Sequence, residues 1–428
     1  MSQYENQKRP LRYSKKQIDR AADKIRHGVE GEERLEAIEL IQSYREFHLY
    51  PLMLLKNHLV RTAKKISPDV IVARRLKRLP TIIDKLERPS LDGKSTNTIK
   101  FTRMQDIAGC RAIVKNPKQL WALKKRLERS RSVHTIIRTK DYLSEPKDSG
   151  YGGLHLIYKC YEGQDQAHDW KGSLVEIQLR TALQHAWATS LEIIDTLENI
   201  NLKTSVENHA EWRMFFQMAG KLVAHKEGFS VLGKELYQYS LLHCGTLSSS
   251  LNVWSKLSKY ELAITISTDS DIVPTHKLNS NGLFLIRVTH EAIEKKTYQV
   301  GVKFFSNEES AIALELLNES ELDDKYALAV LVSAEGVRSL KQAYPNYFGA
   351  TDLFREFLTY VHDESGKAAE EVLASSAKLI SECCEQSDTG TQLSGKTEKV
   401  YQSLMELVKN NADFKAEIER RTGIKLDV

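Results

Sequence analysis

Apolar positions recur every three to four residues from about residue 15 to 65, as in Glu32-Glu33-Arg34-Leu35-Glu36-Ala37-Ile38-Glu39-Leu40-Ile41 and again from Leu52 to Leu59. That period predicts helices, and Ser67-Pro68 interrupts it. Beyond the break the pattern alternates between strand and helix. Strands are predicted near 108–114, 134–139, 154–161 and 174–179, with a helix near 117–130. A further helix carries Ala182, Ala186, Trp187 and Leu191 on one side. Residues 200–259 read as helical, with Trp212, Phe215, Phe216, Met218 and Leu222 as an apolar stripe. A second mixed region follows, with strands at 262–267, 283–289, 298–305 and 326–332 and a helix near 308–317. The tail is helical and polar, its two helices separated by the Ser-, Thr- and Gly-rich run 387–395.

These elements divide the chain into an N-terminal helical region (1–66), a catalytic-sized unit (67–200), a helical connector (201–259), a small mixed α/β domain (260–362) and a helical tail (363–428). The expected class is α+β: a mixed-sheet core flanked by helices, then a second small mixed domain and the tail. No stretch approaches the roughly 20 apolar residues of a membrane span. The N-terminal charges precede no apolar run, and five scattered cysteines show no metal or disulfide spacing, so a soluble, reduced, cytoplasmic protein is expected.

One segment changes the picture. In Val175-Glu176-Ile177-Gln178-Leu179-Arg180-Thr181 the strict alternation puts Glu176, Gln178 and Arg180 on one strand face. A carboxylate, an amide and a guanidinium side by side suggest the floor of a site; the plain alternative is a half-buried strand with a solvated face. The net charge of +5 is mild, but nine Lys or Arg against three acids lie between Arg61 and Arg88. Within that cluster Arg75 and Lys77 precede Pro80, a residue suited to a first helical turn, and Thr81, Lys85 and Arg88 follow at one-face spacing. Such cations, with a helix N-terminus, can surround a chain of phosphates.

The run Arg75-x-Lys77-x-x-x-Thr81-x-x-x-Lys85-x-x-Arg88 resembles the ATP-side motif of the RelA/SpoT alarmone synthetase family. Asp106-Ile107-Ala108-Gly109-Cys110-Arg111 resembles its metal-aspartate strand. Asp141-Tyr142, Pro146-Lys147, Gly150-Tyr151 and Leu154-His155 resemble its acceptor loop, and the segment from Val175 to Thr181 its second metal strand. The four motifs stand in family order between residues 70 and 192. The resemblance implies a nucleotidyltransferase-like synthetase core that moves the β,γ-pyrophosphate of ATP to the 3′-hydroxyl of GDP or GTP, a GTP diphosphokinase-like activity producing (p)ppGpp. It implies Arg75, Lys77, Lys85 and Arg88 on the ATP phosphates, and Asp106 and Glu176 on Mg²⁺, with Glu176 also near the incoming hydroxyl. It implies Tyr151 on the acceptor base, Lys147 and His155 near acceptor phosphates, and Gln178 and Arg180 completing the wall, with His185 adjacent.

The loop departs from the family at Gly152-Gly153, where longer side chains are usual, and this leaves the acceptor in question. A toxin-like member acting on the tRNA 3′-end or on an adenine nucleotide is the alternative, with Lys124-Lys125-Arg126, Arg129 and Arg131 as a candidate basic surface. The family's hydrolase half has no counterpart, since His168-Asp169 and His362-Asp363 lie outside any such domain. Small relatives suggest a homo-oligomer, and residues 260–362 are expected to regulate the synthetase or to engage a partner.

Overall fold

The computed structural model describes residues 7–88, 100–144, 146–163, 168–197, 200, 202, 209–259, 281–289, 300–335, 351–388 and 395–426. Three helices, α1 (Lys15–Arg26), α2 (Gly31–Phe47) and α3 (Leu49–Ala63), realise the predicted N-terminal period. Ser14 starts α1 with a reciprocal capping box to Gln17. A strand that the pattern did not announce, β1 (Ile71–Leu76), then leads into α4 (Leu79–Glu87). Its β-branched start, Val70-Ile71-Val72, was the available signal, obscured by the arginines that follow.

The middle of the chain follows expectation closely: β2 (Ala108–Val114), α5 (Pro117–Glu128), β3 (Thr135–Asp141), β4 (Leu154–Lys159), β5 (Leu174–Thr181) and α6 (Ala182–Leu197). Helices α7 (Ala210–Lys226) and α8 (Lys234–Ser250) occupy the connector. They are followed by β6 (Asn281–Thr289), β7 (Val300–Phe305), α9 (Ser310–Leu322), β8 (Tyr326–Glu335), the 37-residue α10 (Asp352–Asp388), α11 (Gly395–Asn410) and α12 (Ala412–Thr422). The strand expected at 262–267 lies outside the described residues.

The described strands form one eight-stranded sheet in the order β3-β4-β5-β2-β1-β8-β6-β7. Among the described strands only the β2–β5 pair is parallel. The strands expected to build a separate second domain therefore belong to the same sheet as the synthetase strands. The seam is β1–β8, antiparallel, with Arg74 opposite Ser333 and Arg75 opposite Val332. Sequence periodicity specifies which residues face a core, but not which strand lies alongside.

Alternation divides the sheet faces. Val72, Leu76, Cys110, Ala112, Leu156, Val175, Ile177, Leu283 and Leu331 bury one face in a core shared with α1–α3, α5 and α9. On the other face Ala73, Phe284, Ile286, Val330 and Val332 pack with α6, α7, α8 and the first half of α10 through Trp187, Phe216, Leu241, Phe354 and Phe357. This second face also carries Arg75, Arg111, Glu176, Gln178 and Arg180, as the cross-strand pairs Arg75–Gly109, Gly109–Glu176, Arg111–Gln178 and His155–Gln178 require. The far half of α10 forms a small third core with α11 and α12 around Ile380, Val408 and Ile418. Among the described residues no helix is long and apolar enough to cross a membrane.

Candidate active site

The basic motif is assembled where β1 turns into α4. Lys77 follows the last residue of β1 and its N–H bonds to the carbonyl of Ile107 at 2.8 Å, which ties it to the turn before β2. Its Nζ lies 3.1 Å from Asp106 Oδ2, and Lys85 Nζ, two turns along α4, lies 3.1 Å from Asp106 Oδ1. Burial alone would raise the Asp106 carboxyl, but the two ammonium groups hold it below the ordinary range. Burial pushes the Lys77 ammonium below its ordinary value, with Lys85 and Arg75 adding to the effect and Asp106 opposing it. One carboxylate shared by two cations is over-neutralised, so the cluster retains positive charge for an incoming anion. Arg88, placed with these cations by its spacing, caps the C-terminal end of α4 and pairs with Asp84 one turn back.

The second cluster lies on β4 and β5. Glu176 and Arg180 are only 7% and 6% exposed, so the polar row of β5 is enclosed and not a solvated strand face. His155 Nδ1 lies 2.9 Å from Glu176 Oε1, and Gln178 Nε2 donates to Glu176 Oε2 at 2.7 Å. Burial would raise the Glu176 carboxyl, but the hydrogen bond and electrostatic pull of His155, with the Gln178 bond, outweigh it and keep the group below its ordinary value. His155 Nε2 meets Tyr151 Oη at 2.6 Å, and Arg180 Nη2 donates to the same hydroxyl at 2.8 Å. Arg180 donates to the Tyr151 hydroxyl and His155 Nδ1–H to the Glu176 carboxylate, so the His155 ring links that hydroxyl to Glu176. His155 thus orients Glu176, where the resemblance put it beside a phosphate.

Lys147 lies over the rings of Tyr142 and Tyr151, 4.4 and 5.3 Å from their centroids, and Arg180 sits 5.0 Å from the Tyr151 centroid. Burial and the nearby Lys140 lower the Lys147 ammonium. The loop bearing Lys147 and Tyr151 is clamped by glycines. Gly150 has φ +82° and presses on α7, where a Cβ on Gly220 would come 2.0 Å from the Gly150 carbonyl oxygen. A Cβ on Gly153 would lie 3.0 Å from Tyr151 Oη, so the missing side chain lets Tyr151 fold over the loop toward His155 and Arg180. Trp187 of α6 borders the Tyr151 ring at 6.2 Å, edge to face, while its neighbour His185 is buried in the interior at 4% exposure.

Sequence reasoning did not assign roles to Arg111, Tyr142 and Trp187. The first was legible, because Arg111 alternates with Gly109 on β2 and so shares the face of Glu176. Trp187 enters only through tertiary packing.

The donor set bears on magnesium. Asp106 precedes β2, Glu176 lies on the neighbouring β5, and both carboxylates are held in the charged form. That suits a hard divalent cation that takes one or two carboxylates and completes its shell with phosphate and water. Among the described residues no group of three or more His, Cys, Asp or Glu could hold a metal, so a closed all-protein centre is not what these side chains build.

The family model described as a region found in RelA / SpoT proteins matches residues 74–193, and this part of the chain is an alarmone synthetase domain. The chain is similar to GTP pyrophosphokinase YjbM of Bacillus subtilis (strain 168), 35% identical over 123 residues, which cover 29% of this chain and 54% of the relative. It is also similar to GTP pyrophosphokinase YwaC of the same organism, 30% identical over 115 residues, covering 27% and 52%. The chain spans about half the length of the curated relatives it matches. Among solved structures, the small alarmone synthetase 1 from Bacillus subtilis bound to its product pppGpp is 28% identical, with a TM-score of 0.32, covering 41% of this chain and 86% of the other. A GTP pyrophosphokinase family protein from Streptococcus pneumoniae is 22% identical, with a TM-score of 0.32, covering 43% and 90%.

Proposed function

We propose that this chain is a magnesium-dependent pyrophosphotransferase that moves the β,γ-pyrophosphate of ATP onto the 3′-hydroxyl of GDP or GTP, in the cytoplasm where those nucleotides are found. The observation that carries the reading is the pairing of two charge clusters on one sheet face. Lys77 and Lys85 surround Asp106 on the donor side, and Glu176 is fixed by His155 and Gln178 beside it. In the reaction the 3′-oxygen bonds to the β-phosphorus, the bond from that phosphorus to the α,β-bridging oxygen breaks, and AMP leaves. Such transfers depend on positioning and on neutralising charge spread over phosphate oxygens. Lys77, Lys85 and Arg75 serve that purpose, because a triphosphate outcompetes one carboxylate for two ammonium groups and frees the Asp106 oxygens. Glu176 accepts the hydrogen bond of the 3′-hydroxyl and takes its proton late, as a weakly basic carboxylate must. Held by Asp106 and Glu176, magnesium would neutralise the phosphate oxygens and lower the cost of ionising the hydroxyl. Lys147, with the faces of Tyr142 and Tyr151, orients the acceptor.

The direct test is γ-labelled ATP incubated with GDP, GTP, AMP, ADP or bulk tRNA in parallel. Label on GDP or GTP is the expected result, and transfer to none of the acceptors would refute the reading. The tRNA alternative draws on the edge strand β3, whose Arg138 is exposed and whose Lys140 lies opposite His155, so that basic surface runs outward from the acceptor loop. Label on tRNA alone would favour it.

A further inference from the structure

Helix α4 carries Lys85 and follows Lys77, yet its N-cap residue Arg78 makes no side-chain capping bond. Nine residues form a helix too short to be stable by itself. Its first amide is satisfied from far along the chain: Glu321 Oε1 on α9 accepts from the Leu79 N–H at 3.1 Å. The other oxygen of the same carboxylate accepts from Arg45 Nη1 of α2 at 2.6 Å, and the two side chains are 2% and 1% exposed. A second bond, from Asn318 Nδ2 to Glu46 Oε1 at 2.8 Å, fixes α9 on α2. The helix N-terminus read from sequence as a phosphate cradle is thus engaged by a protein carboxylate. That carboxylate comes from outside residues 74–193. The neighbouring strand β8 holds β1 one residue before its end, at Arg75 opposite Val332.

The structure assigns Glu321 as a positioning residue for the donor site: by capping α4 it holds Lys77 and Lys85 in register with Asp106. The assignment rests on the ATP reading above and extends it to residues 260–362, which the sequence led us to expect as a regulatory or partner-binding segment. It predicts a defect confined to the donor nucleotide, because Lys147, Tyr151 and Glu176 lie on other elements.

Removing Glu321 alone would strand a buried guanidinium, so the test compares two double variants that both lack the ion pair. Arg45→Met with Glu321→Gln keeps an acceptor for the Leu79 amide, whereas Arg45→Met with Glu321→Leu does not. Binding of α,β-methylene-ATP is measured by calorimetry, and KM and kcat for each substrate in the transfer assay. The glutamine variant is expected to stay within about threefold of the parent. The leucine variant is expected to bind the analogue and raise the ATP KM about five- to tenfold, as loss of a cap predicts, with the acceptor KM unchanged. Equal losses toward both substrates, or none in a variant that unfolds like the parent, would overturn the assignment. Should the leucine variant fail to fold, Glu321→Asp, which withdraws the acceptor by one methylene, is held to the same selective loss. A parent protein that does not bind the analogue would instead refute the donor reading itself.

Discussion

Asp106, half-buried, and Glu176, buried, are both kept ionised, but by different means: one by two ammonium groups, the other by His155 and the Gln178 amide. Their loss should therefore differ. Asp106→Ala removes the charge that Lys77 and Lys85 share, leaving two cations in mutual repulsion; transfer is expected to fall at least about a hundredfold, the scale of losing one electrostatic element of a phosphoryl-transfer site. Glu176→Ala should abolish transfer to a similar degree while the acceptor still binds, which steady-state kinetics and nucleotide titration can separate. Activity retained in both variants would count against the assignment. Tyr151→Phe keeps the ring but cuts the link from Arg180 to His155. Since the hydroxyl holds the His155 ring against Glu176, kcat is expected to fall about tenfold with the acceptor KM little changed.

Glu227 gives a pH prediction at the same scale. It caps the C-terminus of α7, accepts a 2.8 Å hydrogen bond from Thr181 Oγ1, and is pushed up to about 7, chiefly by burial, with the Thr181 bond opposing. Its folded value exceeds its unfolded one, so the folded state binds more protons between about 4.5 and 7. This contribution to stability is present below that window and is lost as pH rises through it, by up to about 3 kcal/mol. Glu227→Gln is expected to raise the melting temperature at pH 8 and to leave it nearly unchanged at pH 5.

At the scale of elements, the acceptor loop and α7 behave as one part because their backbones touch. Gly220→Ala would drive a methyl into the Gly150 carbonyl and displace the loop that bears Lys147 and Tyr151. A cost of about 1–3 kcal/mol in stability is expected, together with a raised acceptor KM and an unaltered ATP KM. Thermal unfolding and a two-substrate kinetic matrix would check both. The converse pattern belongs to the cap of α4, so the two halves of the site can be weakened independently.

For the molecule as a whole, one sheet runs through segments that looked like two domains. Ending the chain near residue 259 would remove β6–β8 and α10, expose the β1 edge, and open the core made by Phe216, Phe284, Val332 and Phe354. The truncated chain is therefore expected to aggregate or to lose cooperative unfolding, which size-exclusion chromatography and calorimetry would show. A stable, fully active fragment would mean that the added strands are dispensable.

Much of this was written in the chain itself. Helical and strand periods located most of the described elements, and the alternation of Glu176, Gln178 and Arg180 marked the candidate site, because side-chain direction follows directly from backbone period. Cation spacing marked Lys77 and Lys85 for the same reason. Only the tertiary structure could decide that β8 lies beside β1, that Glu321 caps a helix 242 residues away, and that His155 points at Glu176. Those pairings depend on which surfaces meet once the whole chain is packed, and no local pattern of residues encodes the identity of a distant neighbour.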